Sequence, residues 1–318
     1  MEAVQYIKQR LKGVQNIGQI TKAMELVAAN KMRRSQEIAL ASRPYAFNAL
    51  DFLATLSRLE TTGATPLLLQ KREIKRSCIC LVTSDKGLAG SFNSAVIREF
   101  EKFVKANGVE LRNIEKYALV GIGQKAASYL EKRIGRLEKK FVRVGDFTTV
   151  EETRPLAEFL IEGYIRAKWD RVIVFSTHFK TALKQLVFQR QILPVELEAL
   201  KKTAKEIIPE SGRFAELAHA ADISLIKNVS KENIEYLIEP SPGAVLEELA
   251  AHLVLMQIYH LILEANASEH AARRLAMKNA SDNAGELAGE LLLNYNKSRQ
   301  AGITKEIIEI TAGAEALK

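Results

Sequence analysis

The residues from about Pro242 to Gly313 read as a single helix, and nothing else in the chain constrains the fold as tightly. No proline follows Pro242, and the interior is rich in Ala, Leu, Glu, Arg and Lys, the strongest helix formers. Leu249, Met256, Leu263, His270, Met277, Ala284, Leu291 and Ser298 stand seven residues apart. A seven-residue repeat marks a helix that winds around another helix, and the polar entries His270 and Ser298 predict an imperfect seam. At 1.5 Å per residue, some 70 residues would span roughly 105 Å. An ordinary domain cannot bury such a length, so part of the helix is expected to project and to need a partner.

The first candidate partner lies at the other end of the chain. From Ala3 to about Leu59 the pattern is again helical: Val4, Ile7, Leu11 and Val14 step by three and four, and Thr21, Met24 and Ala28 continue the stripe. Gly13 and Gly18 are poor helix residues, and close approach of a neighbouring helix is their expected use. Pro44 is expected to kink this helix or start a new one. Two terminal helices with unpaired stripes predict an antiparallel coiled coil over residues 1–60 and 242–318. Between Val4 and Arg34 the charges are Lys8, Arg10, Lys12, Lys22, Glu25, Lys31, Arg33 and Arg34, so one face is basic. That face is either simply solvated or turned to an acidic partner.

The whole chain leans the same way. Its 318 residues suggest about two domains, and a net charge of +8 favours nucleic acid, a membrane surface or an acidic protein as partner. Cys78 and Cys80 lie inside an apolar run and read as buried strand residues in a reducing compartment. The N-terminus lacks the apolar core of a signal peptide. The most apolar window, 245–265, is interrupted by Glu247, Glu248, His252, Gln257 and His260, which argues against a membrane span.

Between the helices, residues 74–241 read as an α/β domain, introduced by a loop at 61–66. Strands are expected at 77–83, 117–121, 141–144 and 172–175, with an edge strand at 184–193. Helices are expected at 94–106, 124–133 and 150–167, and this alternation predicts a mainly parallel, Rossmann-like sheet with covering helices. Residues 195–235 are polar and mixed, with a terminal strand expected near 234–238.

Two turns invite a chemical reading. Gly121-Ile122-Gly123-Gln124-Lys125-Ala126 fits a dinucleotide fingerprint, with Asp146 at the distance of a ribose ligand. Yet it follows the second strand of the domain rather than the first, and a packing turn is the alternative. SDKGLAGSFN (residues 84–93) is glycine-rich turn chemistry before a helix, which can hold phosphate. No phosphate loop of the G-x-x-x-x-G-K-[ST] kind occurs, and His178, His219, His252, His260 and His270 have no metal or nucleophile spacing. The chain is therefore expected to perform no chemistry itself and to hold no cofactor or metal.

The ends carry a more specific signal. QITKAMELVAANKMRRSQ (19–36) and SEHAARRLAMKNASDNAGELAGELLLNYNKSRQAGITKEIIEITAGAEAL (268–317) closely resemble the gamma subunit of F-type ATP synthases. Ile303-Thr304, Glu306, Glu309 and Gly313-Ala314 match that family's end signature. VTSDKGLAGSFN resembles its TSDRGLCGGFN, departing at Ala89 and Ser91; SRPYA (42–46) and YLIEPSP (236–242) match as well. VGIGQKA sits where the family has a VG-x-KA turn, which removes most support for a dinucleotide. The resemblance is weakest between 195 and 235.

The resemblance implies a non-catalytic rotor. Its terminal helices would form a left-handed antiparallel coil inside a ring of three alpha and three beta subunits. Its foot would rest on the c-ring with the epsilon subunit, and ion flow would turn the shaft. It implies contact with beta through Met24, Lys31, Arg33, Arg34, the collar Lys86, Gly87, Leu88 and Ala89, and Arg299, Gln300 and Thr304. It places Ser42, Arg43, Pro44, Tyr236 and Glu239 at the foot near the c-ring and epsilon. Ala280, Ala284, Gly285, Ala288 and Gly289 would let helices pack closely. It further implies a peripheral membrane protein on the cytoplasmic face of the bacterial inner membrane, held there only through the c-ring, with no nucleic-acid partner. A nicotinamide-dependent enzyme and a nucleic-acid-binding coil are the readings from other classes; sparse aromatics on the basic face disfavour the second.

Overall fold

The computed structural model describes residues 4–41, 66–145, 147–196, 238–239 and 241–316. The expected kink at Pro44, the loop at 61–66 and the assignments within 197–237 fall outside the described residues, apart from Pro66. The elements are α1 (Val4–Ala41), β1 (Ser77–Val82), α2 (Phe92–Ala106), β2 (Tyr117–Ile122), α3 (Gln124–Ile134), β3 (Lys139–Phe141), α4 (Val150–Ile165), β4 (Arg171–Phe179), β5 (Gln185–Leu193) and α5 (Pro242–Ala316). They divide into two compact units: residues 1–28 with 273–318, and residues 29–272.

The larger unit is built on a five-stranded sheet of order β3-β2-β1-β4-β5. β1 pairs in parallel with β2 and β4, β3 continues the parallel set, and β5 closes the edge antiparallel to β4. Every residue of β1 is buried, as a central parallel strand covered on both faces requires. Its alternation sorts the core. Ile79 and Leu81 face Val96 and Phe100 of α2 and Ala126 and Leu130 of α3. Cys78, Cys80 and Val82 face Leu156 and Leu160 of α4 and the stretch Leu246–Ala272 of α5. That stretch of α5 is buried over most of its surface against the sheet and α4, so its apolar windows are those of a core helix.

Local chemistry explains most boundaries. α4 opens with a capping box: Thr149 Oγ1 accepts from the Glu152 N–H, and Glu152 Oε2 accepts from the Thr149 N–H. α3 closes on Gly135 in the left-handed region. Gly163 leaves the space that Trp169 fills; a Cβ there would meet the indole at 1.8 Å. Two strands differ from expectation. β3 lies at 139–141 rather than 141–144, because Arg143 turns the chain at φ +61°. β4 runs on to Phe179, since pairing with β5 extends the ladder beyond the apolar run.

The smaller unit is a two-helix antiparallel coil. Gly18 meets Ala284, with 3.5 Å between the Ala284 Cβ and a Cβ built on the glycine, while Ile7 and Leu11 pack on Leu291 with Tyr295 alongside. On α1 the inward positions are Ile7, Leu11, Val14, Gly18, Thr21, Glu25 and Ala28, alternating steps of four and three. On α5 they are Met277, Ser281, Ala284, Ala288, Leu291, Tyr295, Ser298 and Gly302 in the same rhythm. This is knobs-into-holes spacing with many small and polar knobs. Gly18 is used for close approach as expected. Gly13, Gly285 and Gly289 are not, for a Cβ on each would meet nothing within 4 Å.

Candidate functional site

The turn after β1 is held by its own hydrogen bonds. Ser84 N–H donates to Asn93 Oδ1 at 2.9 Å, and Ser84 Oγ donates to the Lys86 carbonyl at 2.6 Å. These bonds hold Leu88 at φ +62° and Gly90 at φ +54°. A non-glycine residue at positive φ is strained, and such strain marks a loop held for a purpose. The outcome is a displayed knuckle: Lys86, Gly87 and Leu88 are exposed, with Leu88 64% so, while Ala89 is buried beneath them. Ala89 is therefore a support of the collar rather than part of its outer surface.

The neighbouring glycine turn is welded to that knuckle. Gly123 sits at φ +88°, and a Cβ on it would lie 2.1 Å from the Thr83 carbonyl oxygen. The Gln124 N–H donates to Asp85 Oδ1 at 2.9 Å, the Lys125 N–H to the Ser84 carbonyl at 3.1 Å, and the Ala126 N–H to Thr83 Oγ1 at 2.7 Å. The first-turn donors that a pyrophosphate would need are spent within the chain. Asp85 Oδ2 also takes the Arg143 N–H at 2.8 Å, so one carboxylate ties three loops together. The glycine motif is thus a packing turn, and the dinucleotide reading fails on geometry.

Elsewhere in this unit, Lys31 is half-buried and Arg33 is exposed, 3.3 Å from Glu37. Arg34 lies over the Phe147 ring at 4.5 Å. Glu239 is exposed; Ser42, Arg43, Pro44 and Tyr236 lie outside the described residues. Cys78 and Cys80 are buried with their sulfurs 4.0 Å apart, and burial pushes the Cys78 thiol up, so it is a packing group. Among the described residues no group of three or more His, Cys, Asp or Glu side chains could hold a metal ion.

In the smaller unit Met24 is half-buried, and the adjacent Glu25 takes the seam position that the sequence stripe gives to Met24. The Lys22 ammonium at 2.8 Å holds the Glu25 carboxyl below the ordinary carboxylate value, with Arg274 and Lys278 adding to the effect. The stripe misplaced this residue because a seam position filled by a carboxylate has no apolar signature. Arg299, Gln300 and Thr304 are all exposed near the far end of α5. Arg299 lies 5.9 Å from the Tyr295 ring, and Thr304 Oγ1 donates to the Gln300 carbonyl.

Sequence reasoning missed a second set of outward residues. Ile17, Ile20, Leu26 and Val27 on α1, and Leu275, Leu287, Leu292 and Leu293 on α5, are exposed. Ile303, Ile307 and Ile310, spaced as one helical stripe, are 49%, 56% and 71% exposed. Contiguous exposed apolar surface on a folded helix pair is a mark of protein contact. The signal was available: these are the apolar residues left over once the four-three seam is subtracted.

Known proteins match this chain along nearly its whole length. The family described as ATP synthase matches residues 3–317. A gamma chain of ATP synthase from Geotalea daltonii is 36% identical over 318 residues, covering all of both chains. The ATP synthase gamma chain of Cytophaga hutchinsonii is 34% identical over 317 residues, covering all of this chain and 99% of its own. The chain belongs to the ATP synthase gamma-chain family. Among solved structures, a Euglena gracilis mitochondrial ATP synthase chain covers 99% of this one at TM-score 0.60 and 17% identity. A chain of the Tetrahymena thermophila central stalk and c-ring structure covers 82% at TM-score 0.53 and 24% identity. At those identities they show a shared fold: long N- and C-terminal helices with a mostly parallel five-stranded sheet.

Proposed function

We propose that this chain is the central-stalk rotor of a rotary ATP synthase, carrying c-ring rotation to the catalytic beta subunits without catalysing ATP chemistry itself. The observation that carries the reading is the seam of the helix pair combined with what it leaves outside. About half of the seam positions are small or polar, while further large apolar residues flank the seam and face outward. A ring of alpha and beta subunits is the partner that fits this outward surface. In this reading, residues 1–60 and 242–318 form the shaft and 74–241 the globular domain. Met24, Lys31, Arg33, Arg34, the collar surface at Lys86, Gly87 and Leu88, and Arg299, Gln300 and Thr304 meet beta, while Ala89 supports the collar from beneath. Ser42, Arg43, Pro44, Tyr236 and Glu239 stand at the foot toward the c-ring and epsilon. The chain reaches the cytoplasmic face of the bacterial inner membrane only through the c-ring.

The mechanism follows from differential contact. A partner shifts a conformational equilibrium only by as much as it binds one state better than another. A shaft whose exposed side chains differ around its axis offers each beta subunit a different contact at each angle. Its turning can then bias opening and closing of the catalytic sites in sequence. Reconstitution with alpha and beta subunits tests the role. A stoichiometric complex whose ATP turnover depends on this chain is expected; no complex, or turnover indifferent to the chain, would refute it.

A further inference from the structure

A cavity lies between the last turns of α2 and α3, at the end of the sheet opposite the collar. It measures about 680 Å³, within the range of pockets that hold small organic ligands. Its walls come from the last turns of α2 and α3 and the loop between α2 and β2. Phe100, Val104, Leu111, the Tyr129 ring and Ile134 make an apolar floor. Phe100 is fixed edge-on between Tyr129 and Phe175, at 6.4 and 5.6 Å, so the floor is a rigid part of the core.

The rim decides what would fit. Two carboxylates line the pocket, and the inner one, Glu101, is already engaged: Tyr129 Oη donates to it at 2.8 Å, and Arg133 lies 3.7 Å away. The amide oxygen of Asn113 accepts from the Glu115 and Lys116 N–H groups, so only its nitrogen can face a ligand, as a donor. Lys105 and Arg112 are exposed cations on the rim, opposed by Glu110. Donors therefore exceed acceptors around an apolar floor. We infer that this pocket binds an organic anion with an apolar body, its head group held by Lys105, Arg112 and the Asn113 amide. The site is separate from the collar and goes beyond the rotor role.

The test is a titration of the full chain with anilinonaphthalene sulfonate, which has an aromatic body and one sulfonate. Saturable fluorescence is expected, displaced by decanoate and not by the decyltrimethylammonium cation. Lys105→Glu with Arg112→Glu should weaken binding about tenfold or more, the equivalent of about 1.4 kcal/mol. Glu110→Gln should tighten it. Neither change touches the core, so both variants should keep the parent's unfolding midpoint. Flotation with phosphatidylglycerol vesicles separates two sources of the anion: loss of flotation in the double variant places it on a lipid, and displacement by decanoate alone places it in solution. Affinity unchanged in the double variant, or equal displacement by cation and anion, would overturn the assignment. So would a background signal that does not saturate, which the exposed apolar residues of the helix pair alone would give.

Discussion

Gly123→Ala is the sharpest test of the claim that the collar and the glycine turn form one rigid body. The glycine holds φ +88° and ψ 147°, a conformation that side-chain-bearing residues adopt at a cost of about 1–3 kcal/mol. The added Cβ would also stand 2.1 Å from the Thr83 carbonyl oxygen. That atom is backbone, bonded through its residue to the collar, and cannot swing aside as a flexible side chain could. Overpacking of this kind costs about 1–3 kcal/mol. The two effects together predict a loss of about 4 kcal/mol, and relief of the clash must move residues 83–85 outward. Urea unfolding gives the stability, and amide hydrogen exchange at 84–91 gives the local consequence. Protection in that segment should fall by more than global stability explains. A stability within about 0.5 kcal/mol of the parent, the range of an ordinary surface change, with unchanged exchange at the collar would refute the reasoning.

Further outcomes follow from other contacts. Leu291→Ala opens a gap in the apolar layer of the helix pair, against Ile7 and Leu11, and should cost about 2–3 kcal/mol in urea unfolding. Glu25→Gln should destabilise the chain near neutral pH and lose its effect in acid. The carboxyl is held below 4.5 in the folded state, so its contribution is present above that value and disappears as pH falls through the lowered one. His260 is lowered from 6.5 chiefly by burial, with Glu264 opposing, so the folded state resists charging it. Stability should therefore drop below about pH 6, and His260→Gln should flatten that drop in urea midpoints compared across pH. Met24→Lys should add an ion pair with an acidic partner loop and lower the ion pumping obtained per ATP hydrolysed. Unchanged coupling in reconstituted vesicles would count against that contact.

Much of the architecture could be read from the chain because its strongest signals are periodic. The alternation around Ser77–Val82 and the seven-residue spacing through Met277, Ala284, Leu291 and Ser298 both survive in the structure as buried strand and seam. The failures share a physical cause: burial without hydrophobicity, or hydrophobicity without burial. Glu25 and Ser35 are buried polar groups on α1, whereas Ile17, Ile20, Leu26 and Val27 are exposed apolar ones. A stripe that passes over a charged residue therefore drifts from Glu25 onto Met24. Gly285 and Gly289 misled in the same way, since a small residue permits close approach without requiring it. The weld between the two glycine turns was not legible either, because Asp85, Gln124 and Arg143 are far apart in sequence and meet through backbone N–H groups.

The central claim is mechanical, and the most direct measurement is rotation. With alpha and beta subunits assembled around the chain and held to a surface, a probe fixed to the globular unit through an added surface cysteine should turn in one direction in discrete steps while ATP is hydrolysed. It should stop when a disulfide links the shaft to beta and resume on reduction. ATP turnover at full rate with the probe stationary, or with that disulfide intact, would contradict the account.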